Sequence, residues 1–176
     1  MPTVAMWPNV IPARSIISVP TSQMDVFTTI HQIVNIPIPK DRIIDGQNIL
    51  PLLRNPRNST SPHKYLFHYC GSYLHGVRYI EDSDNVWKLY YFTPKYKVGE
   101  YKCQFVCMCF GDHVIQHNPP LFYNIAKDPA EDYLIDINSS PRYRKIYQNI
   151  NKAVELHKKS ITYVESQFSF SNTIWR

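Results

Sequence analysis

The sequence predicts an α+β fold, a small antiparallel sheet packed by a long C-terminal helix. Three observations carry that expectation. Residues 64–70, 73–80 and 86–92 are short runs rich in aromatic and β-branched residues, separated by turn signals. Residues 141–164 hold one apolar stripe at helical spacing. Ahead of the strands, Asn55-Pro56-Arg57-Asn58-Ser59-Thr60-Ser61-Pro62 is polar and proline-bearing, and it marks the best internal boundary. Residues 1–55 are expected to form one part and residues 56–176 another.

The elements follow in order. Residues 2–7 read as a short buried strand ended by Trp7-Pro8-Asn9. Thr21 or Ser22 is placed to cap a helix, with Asp25 favouring its positive end. Phe27, Ile30 and Val34 give its apolar spacing, His31 lies on or beside that stripe, and Pro37 stops it. Asp45-Gly46 signals a turn, and residues 47–54 read as one short helix. The three strand runs form a meander, turned at Gly71 and at the charged tip Glu81-Asp82-Ser83-Asp84. No loop of ligands ending in a bidentate Glu surrounds those carboxylates, so calcium is not expected there. Residues 101–110 form a strand or a tight loop. Pro119-Pro120 forces an extended path into an edge strand at 121–125. Lys127 to Asp132 is a turn, and Pro141 opens the last helix at a position proline tolerates. Its stripe is Tyr143, Ile146, Tyr147, Ile150, Val154, His157, Ile161 and Val164. The aromatics Phe168, Phe170 and Trp175 follow.

Composition narrows the function classes. The 176 residues hold one domain, or one and part of another. With 44% hydrophobic residues, 13 Tyr, 8 Phe and 3 Trp, the chain is not disordered. The net charge of +5 is spread over small groups at Lys95/Lys97/Lys102 and Arg142/Arg144/Lys145, which read as solvated surface. No recognised motif accompanies them, so no nucleic-acid partner is expected. No run approaches the ~18 apolar residues of a membrane span. Residues 1–7 lack the basic and apolar regions of a signal peptide. Yet the four cysteines and the sequons at Asn58 and Asn138 lean toward the secretory pathway. Together these lead to the expectation that an N-terminal portion is missing.

The segment Cys103-Gln104-Phe105-Val106-Cys107-Met108-Cys109-Phe110-Gly111 is the most particular stretch of the chain. No Gly-x-Ser-x-Gly elbow, phosphate-cradling glycine loop or Cys-x2-Cys zinc knuckle occurs, so the cysteines read as staples. Residues 107 and 109 would point to the same side of a strand, which leaves Cys70 to bond either Cys109 or Cys107. His117, beside Asn118-Pro119-Pro120, either faces a cleft or lies exposed on a loop.

Several particular motifs stand in order along the chain: Trp7-Pro8-x-Val10-Ile11, Asp41-Arg42-Ile43-Ile44-Asp45-Gly46 and Pro51-Leu52-Leu53. Leu66-Phe67-His68-Tyr69-Cys70, Trp87-Lys88, Phe92-Thr93-Pro94, the cysteine segment, His117-x-Pro119-Pro120-Leu121 and Lys127-Asp128-Pro129 complete the series. In this order they resemble the C-terminal part of the type I sulfatase family, within its arylsulfatase and steryl-sulfatase group. The resemblance covers nearly the whole chain. It implies that residues 1–55 are the last strand and helix of a large, alkaline-phosphatase-like α/β domain, and that 56–176 are the small C-terminal domain. Full sulfatases hydrolyse sulfate esters with a formylglycine made in a Cys-x-Pro-Ser-Arg motif and with a bound calcium. The resemblance places both in the N-terminal domain, a partner in the same polypeptide. None of the four cysteines here is followed by x-Pro-Ser-Arg. The chain alone is therefore expected to hold no catalytic residue and no metal site, and to be inactive.

The resemblance further implies the pairing Cys70–Cys109 and Cys103–Cys107. It places Gln104, Phe105, Val106, Met108 and His117 along the substrate pocket. Phe105 stands where the family has a histidine, and Asn118 where an acid is usual. The alternative reading is a non-catalytic secreted binding module derived from a sulfatase.

Overall fold

The computed structural model describes residues 3–58, 60–103 and 107–161. Three of the aromatic-rich runs form β1 (Tyr65–Cys70), β2 (Tyr73–Ile80) and β3 (Val86–Pro94). With β4 (Val114–Asn124) they make a four-stranded antiparallel sheet in the order β1-β2-β3-β4. A long helix, α3 (Pro141–Ser160), completes the α+β arrangement. The chain divides into two compact units, Met1–Asp136 and Ile137–Arg176.

In the first unit the sheet has unlike faces. The register pairs Phe67 with Val77, Val77 with Leu89, and Leu89 with Phe122, so these four side chains share one face. Val77, Leu89 and Phe122 are fully buried, and Trp87 stacks on Phe122 at 5.2 Å. Each such side chain removed from water contributes roughly 2 kcal/mol. The other face carries Leu66, His68, Arg78, Lys88, Tyr90 and Tyr123. The β2–β3 turn is the charged tip. Asp82 accepts from the Asp84 amide at 2.8 Å, and Glu81 accepts from the Trp87 indole at 2.8 Å.

The edge strand β4 begins well before the proline pair that the sequence reading took as its approach. Its register breaks between Tyr90 and Phe92 of the partner strand, and Asn118–Pro119 is a cis bond. An edge strand with a broken ladder is where two residues without N–H groups fit.

The N-terminal region departs from expectation in four places. Residues 3–7 form no strand, and Val4 is 94% exposed, because no strand among the described residues lies beside them to supply ladder bonds. Helix α1 (Asp25–Ile33) starts at Asp25, with Met24 as its uncapped N-cap; Ser22 instead accepts from the Met24 amide. Its faces are inverted: Phe27 and Ile30 are 44% and 52% exposed, while Asp25, Thr28 and Thr29 are buried. The cause is the extended segment 45–49, which hydrogen-bonds to the polar face. Thr28 Oγ1 donates to the Gly46 carbonyl at 2.9 Å, and Ile49 N donates to Thr29 Oγ1 at 3.0 Å. Asp45-Gly46 is consequently not a turn. A Cβ at Gly46 would lie 2.1 Å from the Met24 carbonyl oxygen, so close backbone approach demands glycine there. The next helix, α2 (Leu50–Arg54), is shorter than the 47–54 expected, and Asn48 accepts from its Leu50 amide.

Asp25 gathers this region. Its carboxylate accepts from Ser22 N and Gln47 N, each at 2.8 Å, and from His63 Nε2 at 2.7 Å. Ser61 Oγ donates to the Pro20 carbonyl at 2.6 Å. The polar stretch before β1 is thus tied back to the start of α1.

In the second unit, Ser140 caps α3 by accepting from Arg142 N, and Pro141 takes the first helical position. Ile146, Ile150 and Val154 are buried, with Tyr143, Tyr147 and His157 half-buried on the same stripe. Ile161 is exposed just past the helix. Val164 and the aromatics of the tail lie outside the described residues.

Candidate functional site

The cysteine segment is fastened to one end of the sheet. Cys70, at the end of β1, bonds Cys109 with Cα atoms 5.4 Å apart. Cys103 bonds Cys107 with Cα atoms 4.9 Å apart, and no described cysteine is free. Of the two partners left open for Cys70, the structure has Cys109. Cys103 is buried, and its amide and carbonyl bond Glu100 O and Gly99 N, each at 2.7 Å, which makes the segment a tight loop. Gly71, at a positive φ of 58°, turns the chain from β1 into β2 beside the Cys109 sulfur.

Two further contacts hold the loop from β2. His75 Nε2 donates to the Cys109 carbonyl at 2.8 Å, and its ring lies 5.4 Å from that of Phe92 on β3. Tyr73 meets Phe110 at 5.4 Å. Met108 is 55% exposed, and Phe110 is also exposed, so the loop presents apolar surface to its surroundings. Gln104, Phe105 and Val106 lie outside the described residues.

His117 is on a strand rather than a loop. It sits in β4, half-buried, and its Nε2 shares a 2.8 Å hydrogen bond with Thr93 Oγ1 of β3. His75, which the sequence reading passed over, is the histidine joined to the cysteine loop. Strand alternation alone gave no sign of it, since its partner stands 34 positions away. A groove lined by Thr28, His31, Gln32, Asn35 and Ile36 to Lys40 lies at the end of α1, on elements separate from the loop.

The charged face of the sheet forms a second polar group. Lys88 Nζ meets Glu131 Oε1 at 2.5 Å, and Tyr90 donates to Glu131 Oε2 at 2.8 Å. Burial, with Glu131 beside it, pushes the Tyr90 hydroxyl well up. His68 is driven down to about 4, by burial first and then by the cations Arg78 and Lys88. Among the described residues no group of three or more His, Cys, Asp or Glu side chains could hold a metal ion, and no helix is long and apolar enough to cross a membrane. The sequon residue Asn138 is exposed on a short turn, Ile137–Ser139, and Asn58 ends another, Pro56–Asn58.

The family described as the C-terminal region of aryl-sulfatase matches residues 61–176, well over half the chain. Human steryl-sulfatase is 40% identical over all of this chain, human arylsulfatase D 39% and human arylsulfatase H 41%. The chain spans only 30–32% of the length of those relatives. With a family match over residues 61–176 and relatives near 40% identity along the whole chain, the chain belongs to the aryl-sulfatase family, of which it carries the C-terminal region.

Proposed function

We propose that this chain works as the C-terminal portion of a sulfatase acting on aryl or steroid sulfate esters, and that its cysteine loop supplies part of the substrate-pocket wall. The carrying observation is the loop's fastening. The Cys70–Cys109 disulfide and the His75 hydrogen bond hold an exposed apolar segment to the sheet end, and Cys103–Cys107 closes the segment on itself. Pocket walls are apolar surfaces held in place by a scaffold, and this loop has both properties. Gln104, Phe105, Val106 and Met108 are its wall residues in this reading, with His117 on the neighbouring edge strand.

The chemistry belongs to an N-terminal α/β portion, which supplies calcium and the formylglycine. All four cysteines here are cross-linked, so none is available for conversion. The apolar row of α1 and its continuation, Phe27, Ile30, Val34, Ile36 and Ile38, is exposed. A row of that kind is the surface a covering portion would bury. In the same reading the protein passes through the secretory pathway, where the disulfides form and where Asn58 and Asn138 receive glycans.

The test has two arms. The purified 176-residue chain should give no turnover of an aryl sulfate or a steroid sulfate, and measurable turnover would overturn the assignment of catalysis to another portion. In the longer polypeptide, Phe105→Ala with Met108→Ala should raise KM for a steroid sulfate about tenfold while leaving kcat for a small aryl sulfate within about twofold. An unchanged KM would remove the loop from the pocket wall.

A further inference from the structure

Two cations stand opposite each other on the charged face of the sheet. Arg78 of β2 and Lys88 of β3 are direct cross-strand partners, a placement in which like charges repel. Lys88 is only 8% exposed, so this repulsion is not relieved by water. The carboxylate at hand is Glu131, and both its oxygens are occupied, one by Lys88 and one by Tyr90. Arg78 is left over. Its Nε is buried with no hydrogen-bond partner among the described residues, and so is Nε2 of His68. His68 lies on the adjacent strand β1, paired with Gly76, two residues before Arg78 on β2. No side chain at Gly76 stands between them. A buried donor without an acceptor costs about 1–3 kcal/mol, and more when it is charged.

We propose that Arg78 and His68 form a receptor for one carboxylate, its oxygens accepting from Arg78 Nε and from the Nε2–H of His68. Charge decides the class of ligand. Arg78 and Lys88 against Glu131 leave one positive charge, which a single carboxylate neutralises and a dianionic sulfate or phosphate overshoots. A guanidinium presents its N–H groups in a fixed planar arrangement that a carboxylate matches. A trapped water accepts from both nitrogens yet leaves the charge unbalanced. The site lies on the sheet face, built from residues the pocket-wall reading does not use, and it stands or falls independently of that reading. An acidic side chain of a partner surface and a small carboxylate anion share this chemistry.

Heteronuclear NMR on the isotope-labelled 176-residue chain tests it. The probes are sodium acetate, N-acetyl-glutamate amide and sodium sulfate, each raised to about 100 mM at constant ionic strength with chloride as the exchanged anion. The Arg78 Nε–H and His68 ring signals should shift saturably with the carboxylates, and the apparent Kd should rise at least about tenfold in Arg78→Gln. Arg78→Lys, which keeps the charge and loses the planar array, serves if the glutamine variant does not fold. Response to acetate alone identifies a site for small anions, and response to both carboxylates identifies one that also admits a glutamate side chain. No saturable shift with either carboxylate would overturn the proposal. So would shifts unchanged in both variants, or sulfate binding tighter than acetate.

Discussion

Two side chains, one fully buried and one half-buried, show how far single residues govern this chain. Asp25 is fully buried, and its three hydrogen bonds join the start of α1, the segment at Gln47 and the stretch at His63. Asp25→Ala strands those donors, and urea denaturation should show a loss of about 3 kcal/mol. The sequence showed Asp25 only as a residue favourable to a helix start. Two of its three partners lie 22 and 38 positions away, which local patterning does not reveal. His68 acts in the opposite sense, as a base kept neutral. Its folded value near 4 lies below the ordinary 6.5. The unfolded chain therefore binds this proton first as pH falls. The stabilisation is full above 6.5 and is lost progressively between 6.5 and about 4. Discounted for the ring's partial exposure, the effect is about 2 kcal/mol. Denaturation midpoints across that window should fall, and should fall less in His68→Gln.

Among the elements, those with strong periodicity were legible and those set by distant partners were not. The first three strands sit where alternation puts them, and α3 starts at Pro141 as expected but ends at Ser160, short of Ile161, because its buried row stops at Val154 among the described residues. Helix α1 also had a clear stripe, yet the structure buries its threonines. Their hydroxyls bond an extended segment some 20 positions on, and the apolar side is left outward. The N-terminal strand had the right residues and no neighbour. The cysteine loop was legible as a cross-linked unit, while its clamp His75 was hidden. The two disulfides differ in what they constrain, since their sequence separations are 39 and 4. In the chain-entropy account, removing Cys70–Cys109 costs about 4 kcal/mol and removing Cys103–Cys107 about 2 kcal/mol. Paired Cys→Ser variants compared by thermal denaturation should keep that order. The reverse order would mean that the short loop holds structure beyond its own closure.

At the scale of the whole molecule, the chain has a cross-linked apolar loop, a sheet with one charged face, and an outward apolar helix face. It spans 31% of the length of human steryl-sulfatase. On the proposed function, the exposed loop is a pocket wall and the outward helix face a docking surface for a larger α/β portion that holds the chemistry. Blotting native tissue extract with an antibody against α3 tests this most directly. The account expects a polypeptide about three times the 20.7 kDa of this chain, as the covered share of its relatives implies. A single band near 20.7 kDa would contradict it, and the sheet and loop would then have to work without a catalytic portion in the same polypeptide.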